Sequence, residues 1–246
     1  MKVWAWVLGL VVAAATMVPA VAAGGFSDWA ALVVAGDWHA HSGAPSQVFD
    51  NGRRDIAAAL ARIGFSPNNI VQFTVGPDHE ASNGWPRSDK QAIANTLWDL
   101  SNRTNAGCFV YFTSHGSPDG IVIDEGLLSP QAMAGMIDNA CGDRPTVVIV
   151  SACFSGVFLD ELSSPNRFVM TAARPDRTSF GCGDNDRYTF FDNCFLDSIG
   201  GAGDFGKLAL AIRACVSRKE AEIHAYPSEP QLAVGAQFAA AMPRWR

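Results

Sequence analysis

Two short runs carry residue types that can do covalent chemistry. Thr113-Ser114-His115-Gly116-Ser117 follows the apolar stretch Cys108–Phe112, and Ser151-Ala152-Cys153-Phe154-Ser155-Gly156 follows Thr146–Val150. A thiolate is a strong nucleophile at neutral pH, and an imidazole nearby both favours ionisation of the thiol and returns a proton to a leaving amine. Gly116 has no Cβ, so its backbone N–H can approach an oxyanion, and the N–H of Cys153 can supply a second donor. A lone His or Cys at a strand end is more often a packed core residue. Both together, each with glycine close behind, read as the two halves of one site.

That reading requires the two runs to lie side by side, which is a demand on the elements that carry them. Apolar runs of strand length alternate with helical stretches: Trp29–Ala35, Arg54–Ile63, Ile70–Val75, Gln91–Asn102, Cys108–Thr113, Pro130–Asn139, Thr146–Val150 and Phe168–Ala172. Strands that are apolar on both faces, such as Thr-Val-Val-Ile-Val, belong inside a parallel sheet covered by helices on each side, so the class is α/β. In such sheets ligands sit outside the carboxyl ends of the strands, where both runs fall. The 38-residue separation of His115 and Cys153 holds the helix Pro130–Asn139, the length of one right-handed crossover between neighbouring parallel strands.

The 246 residues are 48% apolar and 17% charged, with 23 Gly and 13 Pro, a profile that excludes disorder and collagen-like repetition. At the N-terminus, Lys2 precedes an uncharged stretch from Val3 to Val18, then Pro19 and the small residues Ala20-Val21-Ala22-Ala23. Residues 1–22 are expected to be a secretory signal, leaving 23–246 as a single domain; the competing reading is an uncleaved anchor. Cleavage removes one Lys and no acid, so 17 basic residues against 24 acidic ones give −7. That charge offers no surface to a phosphate backbone, and nucleic acid is excluded as a partner. No later segment reaches spanning length, so no stable membrane span is expected after cleavage. The expected localisation is periplasmic or secreted.

An oxidising compartment changes how the six cysteines, at 108, 141, 153, 182, 194 and 215, are read. With one kept as a nucleophile, five remain and cannot all pair. Cys182 and Cys194, separated by a polar Asp/Gly-rich loop, are the expected bridge, the rest being small buried hydrophobes.

Other constellations carry less. His39-Ala40-His41 lacks a third and fourth ligand at useful spacing, so no metal is expected and the run reads as a polar loop. His79 and His224 stand alone. No nucleophile elbow G-x-S-x-G occurs. Gly200-Gly201-Ala202-Gly203 lacks the phosphate-loop Lys and reads as a loop. Tyr226–Gln231 reads as a Pro-bounded segment leading into a last short element. No cofactor is called for.

At its two strand-end motifs the chain resembles the legumain-like cysteine peptidases, as a bacterial-type exported member. The pattern is a hydrophobic strand ending in His-Gly and a second ending in Ala-Cys-x-Ser-Gly. The likeness extends through Leu32-Val33-Val34-Ala35-Gly36 and Gly64–Ile70 to Thr171–Ser179. The resemblance implies a caspase-like three-layer sandwich with a mostly parallel central sheet. It also implies a cysteine endopeptidase working through a thioester acyl-enzyme, with peptide or protein as substrate.

Carried over by position, Cys153 is the nucleophile, His115 its acid/base partner, and Gly116 with Cys153 the oxyanion hole. Asp192, in Tyr188-Thr189-Phe190-Phe191-Asp192, matches the family's pocket acid, with Ser179 as a further wall. Ser114 stands where legumains have Asp, and Ser151 where they have Glu. No arginine follows Gly36 at the family's place; Arg53 and Arg54, a few residues on, are expected to cap or face solvent. The residue before the cleaved bond is expected to be polar or charged: Asn, Asp or basic. Only about 50 residues follow Asp192, so activity is expected on signal removal alone. The alternative class is a caspase-fold protein that binds peptide without turnover.

Overall fold

A computed structural model describes residues 25–76 and 84–246, so the expected signal segment and His79 lie outside the described residues. Five parallel strands make most of one sheet: β1 (Trp29–Ala35), β2 (Ile70–Phe73), β3 (Gly107–Thr113), β7 (Thr146–Ser151) and β8 (Arg167–Thr171). A sixth, β9 (Gln231–Val234), pairs antiparallel with β8, giving the order β2-β1-β3-β7-β8-β9.

The period-two geometry of a strand sends alternate side chains to opposite faces, and here both faces are buried. Ala31, Val33, Phe109, Tyr111, Val147 and Ile149 pack on one face. They meet Ile56 and Leu60 of α1 (Val48–Arg62), Phe195 and Ile199 of α5 (Phe190–Ala202), and Leu208 and Ile212 of α6 (Phe205–Glu222). Leu32, Val34, Val110, Phe112, Val148 and Val150 pack on the other. There they meet Ile93 and Leu97 of α2 (Lys90–Asn102) and Met133 and Ile137 of α3 (Pro130–Cys141). This double cover is why those strands read as unbroken apolar runs.

The crossover from β3 to β7 holds more than the helix read from sequence. A small antiparallel sheet, β4 (Gly116–Ser117), β5 (Gly120–Ile123) and β6 (Gly126–Leu128), comes before α3. The strands are too short and glycine-punctuated for periodicity to reveal them. After β7 come the single turn α4 (Leu159–Leu162) and β8; α7 (Ala236–Ala240) follows β9.

Three expectations are corrected. The bridge is not Cys182–Cys194: Cys108 pairs with Cys141 and Cys194 with Cys215, while Cys153 and Cys182 are free. Each bridge joins elements that already pack together, β3 to α3 and α5 to α6. Gly200 and Gly201 lie inside the last turn of α5, and Gly203, at φ +78°, is its left-handed cap rather than part of a loop. Arg53 neither caps nor faces solvent; it is 2% exposed, with its guanidinium on both carboxylate oxygens of Asp50 and on Gln72 Oε1. Arg54 is exposed and bonds Asn51 and Asp55.

Candidate active site

The register of β3 against β7 is Thr113 opposite Ser151, so His115 and Cys153 each lie two residues beyond a matched pair of strand ends. The bond from the Ser114 N–H to the Ser151 carbonyl, 3.1 Å, carries the pairing past the last ladder position. A Cβ on Gly116 would lie under 3.0 Å from the Cys153 carbonyl oxygen and 3.0 Å from the Ala152 methyl group. Only glycine lets the two turns come this close.

The Cys-x-Ser-Gly run shapes the turn behind the sulfur. Phe154 sits in the left-handed region at φ +57°, uncommon for a bulky residue, and its N–H donates to the Arg177 carbonyl at 2.7 Å. The buried Ser155 hydroxyl accepts the Ala173 N–H at 3.1 Å. At Gly156 a Cβ would collide with the Arg174–Pro175 backbone. The motif therefore clamps the nucleophile turn onto the 173–179 strap.

That strap reaches the reactive atom. Cys153 is partly exposed, and its Sγ accepts the Ser179 N–H at 3.2 Å, with the Ser179 hydroxyl 3.5 Å away. The Ser179 carbonyl is 3.6 Å from the same sulfur, so Ser179 fixes the position of Sγ through its backbone. His115 is held from the other side. Its Nε2 lies 3.1 Å from the His39 carbonyl, and its ring meets the edge of Phe49 at a centroid distance of 4.9 Å. A carbonyl only accepts, so Nε2 carries the proton and Nδ1 holds the lone pair in the neutral ring. Among the described residues, no hydrogen bond joins His115 to Cys153.

Below this edge lies a buried polar cluster. Asp192, 0% exposed, accepts the Tyr111 hydroxyl at 2.7 Å and the Thr113 hydroxyl at 2.6 Å. Burial pushes its carboxyl above the usual range, against the hydrogen bonds from Thr113, Tyr111, Ser151 and Thr189. Burial, followed by the Asp192 charge, pushes the Tyr111 phenol well above its ordinary value. Thr189 caps α5, its hydroxyl accepting the Asp192 N–H at 3.0 Å. Gly52 of α1 lies directly over the carboxylate, where a Cβ would stand 2.6 Å from Oδ2.

The structure thus brings Cys153, His115, Gly116 and Ser179 to one edge. Ser151 is buried with its hydroxyl 3.3 Å from that of Thr189, joining the Asp192 cluster. Ser114 is enclosed elsewhere, its buried hydroxyl without a hydrogen bond and close to Gly36. Sequence reasoning missed Tyr111, Thr113 and Thr189 as partners of the acid. The Thr189-x-x-Asp192 spacing is a helix-start signature that could have placed both at the head of α5.

The family model for the peptidase C13 family matches residues 87–217, a span holding both motifs and Asp192. The chain belongs to the peptidase C13 family. Among solved structures, caspase-1 from Spodoptera frugiperda aligns with a TM-score of 0.61 at 12% identity, over 86% of this chain and 88% of that one. The fold is therefore caspase-like, as the resemblance implied. A search of curated protein sequences found no match. C13 membership and the caspase-like fold together support a cysteine peptidase-type function. Within this C13 chain, the matched span contains the whole β3-to-β7 crossover that carries His115 and Cys153 to one edge.

Proposed function

We propose that the protein is a cysteine endopeptidase in which Cys153 attacks the scissile carbonyl and His115 handles the proton. The observation that carries this is the β3–β7 register, which aligns the two strand ends with His115 and Cys153 equally far beyond them. With sulfur held by Ser179 and the imidazole by His39, the scissile group enters between them. The thiolate adds to the carbonyl carbon, and the oxyanion collapses as His115 protonates the leaving amine. Water then hydrolyses the thioester.

The ladder geometry supports Gly116 as an oxyanion donor. The Val122 N–H donates to His115 O at 2.9 Å, which makes those two a hydrogen-bonded antiparallel pair. The next pair, Gly116 with Ile121, is then of the non-bonded kind, and the Gly116 N–H points away from the small sheet. Phe154 is no rival donor, because its N–H is committed to Arg177. The Cys153 N–H is the second donor.

For the residue before the cleaved bond, the reading is a polar or charged side chain: Asn, Asp or basic. The buried Asp192 carboxylate accepts hydroxyls in its cluster and favours a side chain that brings a donor, with Ser179, whose N–H meets the Cys153 sulfur, as the further wall of this reading. The two disulfides suit an exported protein in the periplasm or outside the cell.

A peptide-library cleavage profile of wild type and Cys153→Ala tests this reading. Wild type is expected to cleave after a restricted set of residues, and Cys153→Ala to cleave nothing while unfolding cooperatively. Cleavage retained in Cys153→Ala removes the nucleophile; no cleavage by wild type favours a peptide-binding protein.

A further inference from the structure

Resting on that reading, we propose that Asp37 is a positioning residue for the reaction: it holds the His39 carbonyl where it fixes the tautomer and orientation of His115. One carboxylate oxygen, Oδ1 of Asp37, takes three donors. The Trp38 N–H donates at 2.6 Å, the His39 N–H at 3.0 Å, and His39 Nδ1 lies 2.8 Å away. The residue whose N–H and ring are bound by Asp37 is the one whose carbonyl meets His115 Nε2 at 3.1 Å. Both ends of residue 39 are thereby held, one by Asp37 and one by the imidazole.

The carboxylate itself has a fixed base. The Gly36 N–H donates to the Thr113 carbonyl at 3.0 Å and the Asp124 N–H to the Gly36 carbonyl at 2.8 Å, so the backbone entering Asp37 is tied to β3 and to the turn after β5. Gly36 cannot carry a side chain there, since a Cβ would run into the Val122 carbonyl and the Ser114 hydroxyl. On the far side the Ser46 N–H donates to the Trp38 carbonyl at 2.8 Å and closes the loop. Between these anchors, residues 37–39 have, among the described residues, the single bridge from His39 to Pro45 as ladder partner. Beyond residue 39 the Ala40 N–H donates to the Ala44 carbonyl and the His41 N–H to the Cys182 carbonyl, each at 2.8 Å, so the three donors on one carboxylate oxygen order the entry of a loop whose far side is already tied down. Asp37 touches neither His115 nor Cys153, so its effect passes through the backbone of residue 39.

The consequence is chemical. If the His39 carbonyl moves, the imidazole is free to place its proton on either nitrogen and to rotate about its bond to the chain. A base with the wrong nitrogen protonated cannot take the next proton at the required place. Misplacement of about 1 Å is enough to cost about 100-fold in rate. The loss falls on turnover, because substrate binding uses neither Asp37 nor the imidazole proton.

Two measurements on the full chain test this. The first is the split of kcat against KM on the best library peptide for Asp37→Ala and Asp37→Asn. The second is the tautomer of His115, read from long-range correlations between ring protons and ring nitrogens, with the resonance assigned by its loss in His115→Ala. Asp37→Ala is expected to lower kcat by about 100-fold with KM little changed, and to turn a single Nε2-protonated His115 into a mixture of tautomers. Asp37→Asn, which keeps an acceptor oxygen for the two backbone N–H groups, is expected to recover most of both. If Asp37→Ala does not unfold cooperatively, Asp37→Leu, similar in size and without an acceptor, is read instead. A folded acceptor-less variant with wild-type kcat and an unmixed tautomer overturns the proposal. A wild type that cleaves no peptide, yet whose His115 tautomer mixes in Asp37→Ala, overturns the peptidase reading and leaves the positioning role standing.

Discussion

Gly116 and the carbonyl of Cys153 approach so closely that a single added methyl group has no room. This contact ties the end of the His-bearing turn to the Cys-bearing one, and the Gly116 N–H beside it is the proposed oxyanion donor. Gly116→Ala is therefore expected to push the turns apart and lower kcat/KM by at least ~100-fold, the scale of one lost oxyanion donor. Steady-state kinetics with circular dichroism as a fold control checks this. Near-wild-type kinetics in a folded Gly116→Ala would remove Gly116 from the site.

The two free cysteines are expected to react very differently. Burial, reinforced by the nearby Cys153, pushes the Cys182 thiol up to about 11, so it carries almost no thiolate at neutral pH. Cys153 is partly exposed and accepts the Ser179 N–H at sulfur. Iodoacetamide at pH 7 should modify the peptide containing Cys153 and leave Cys182 untouched until the protein is unfolded, as peptide mass spectrometry will report. Equal labelling of both in the native protein would contradict this environment for Cys182.

The parts of the fold written in side-chain periodicity were readable in the sequence. Trp29–Ala35 appears with the same ends in the structure, because seven consecutive buried residues leave no other reading. The placement of His115 and Cys153 followed from strand ends plus one crossover. What escaped was set by tertiary partners. Helix α1 begins at Val48 rather than Arg54: its first turns hold Gly52, a poor helix former whose place is explained only by the Asp192 carboxylate packed over it. The bridges could not be read from loop composition, because each depends on which helix covers which strand or helix. Asp37 was passed over for the same reason: a lone acid after a strand carries no signal until its three donors are in place.

The bridges themselves make a stability prediction. Cys108–Cys141 and Cys194–Cys215 are separated by 33 and 21 residues, for which loop-closure entropy implies about 3–4 kcal/mol each. Replacing either pair by Ala should lower the urea midpoint and raise m, because the unfolded chain is freed to expose more surface. A non-reducing peptide map should show these two links alone, with Cys182 free. A Cys182–Cys194 peptide in that map would refute the assignment.

The last prediction follows from the buried acid. Burial raises the carboxyl of Asp192 above the usual 3.8, with hydrogen bonds from Thr113 and Tyr111 opposing the rise. An acid whose native pKa exceeds its unfolded one binds a proton more tightly when folded. Its ionisation therefore costs stability, which declines as pH rises from about the unfolded value through the native one, and then levels off. Asp192→Asn keeps an acceptor for Tyr111 or Thr113 and removes the titration. The stability of wild type relative to Asp192→Asn should accordingly fall as pH rises above the ordinary carboxylate range, measured by urea unfolding across pH 3–8. A difference that is flat with pH, or that grows in favour of wild type, would mean that the surrounding hydroxyls outweigh burial and hold the carboxylate ionised. In that case the cluster beneath Cys153 carries a full negative charge at every working pH, and a basic residue before the cleaved bond becomes the stronger expectation over Asn.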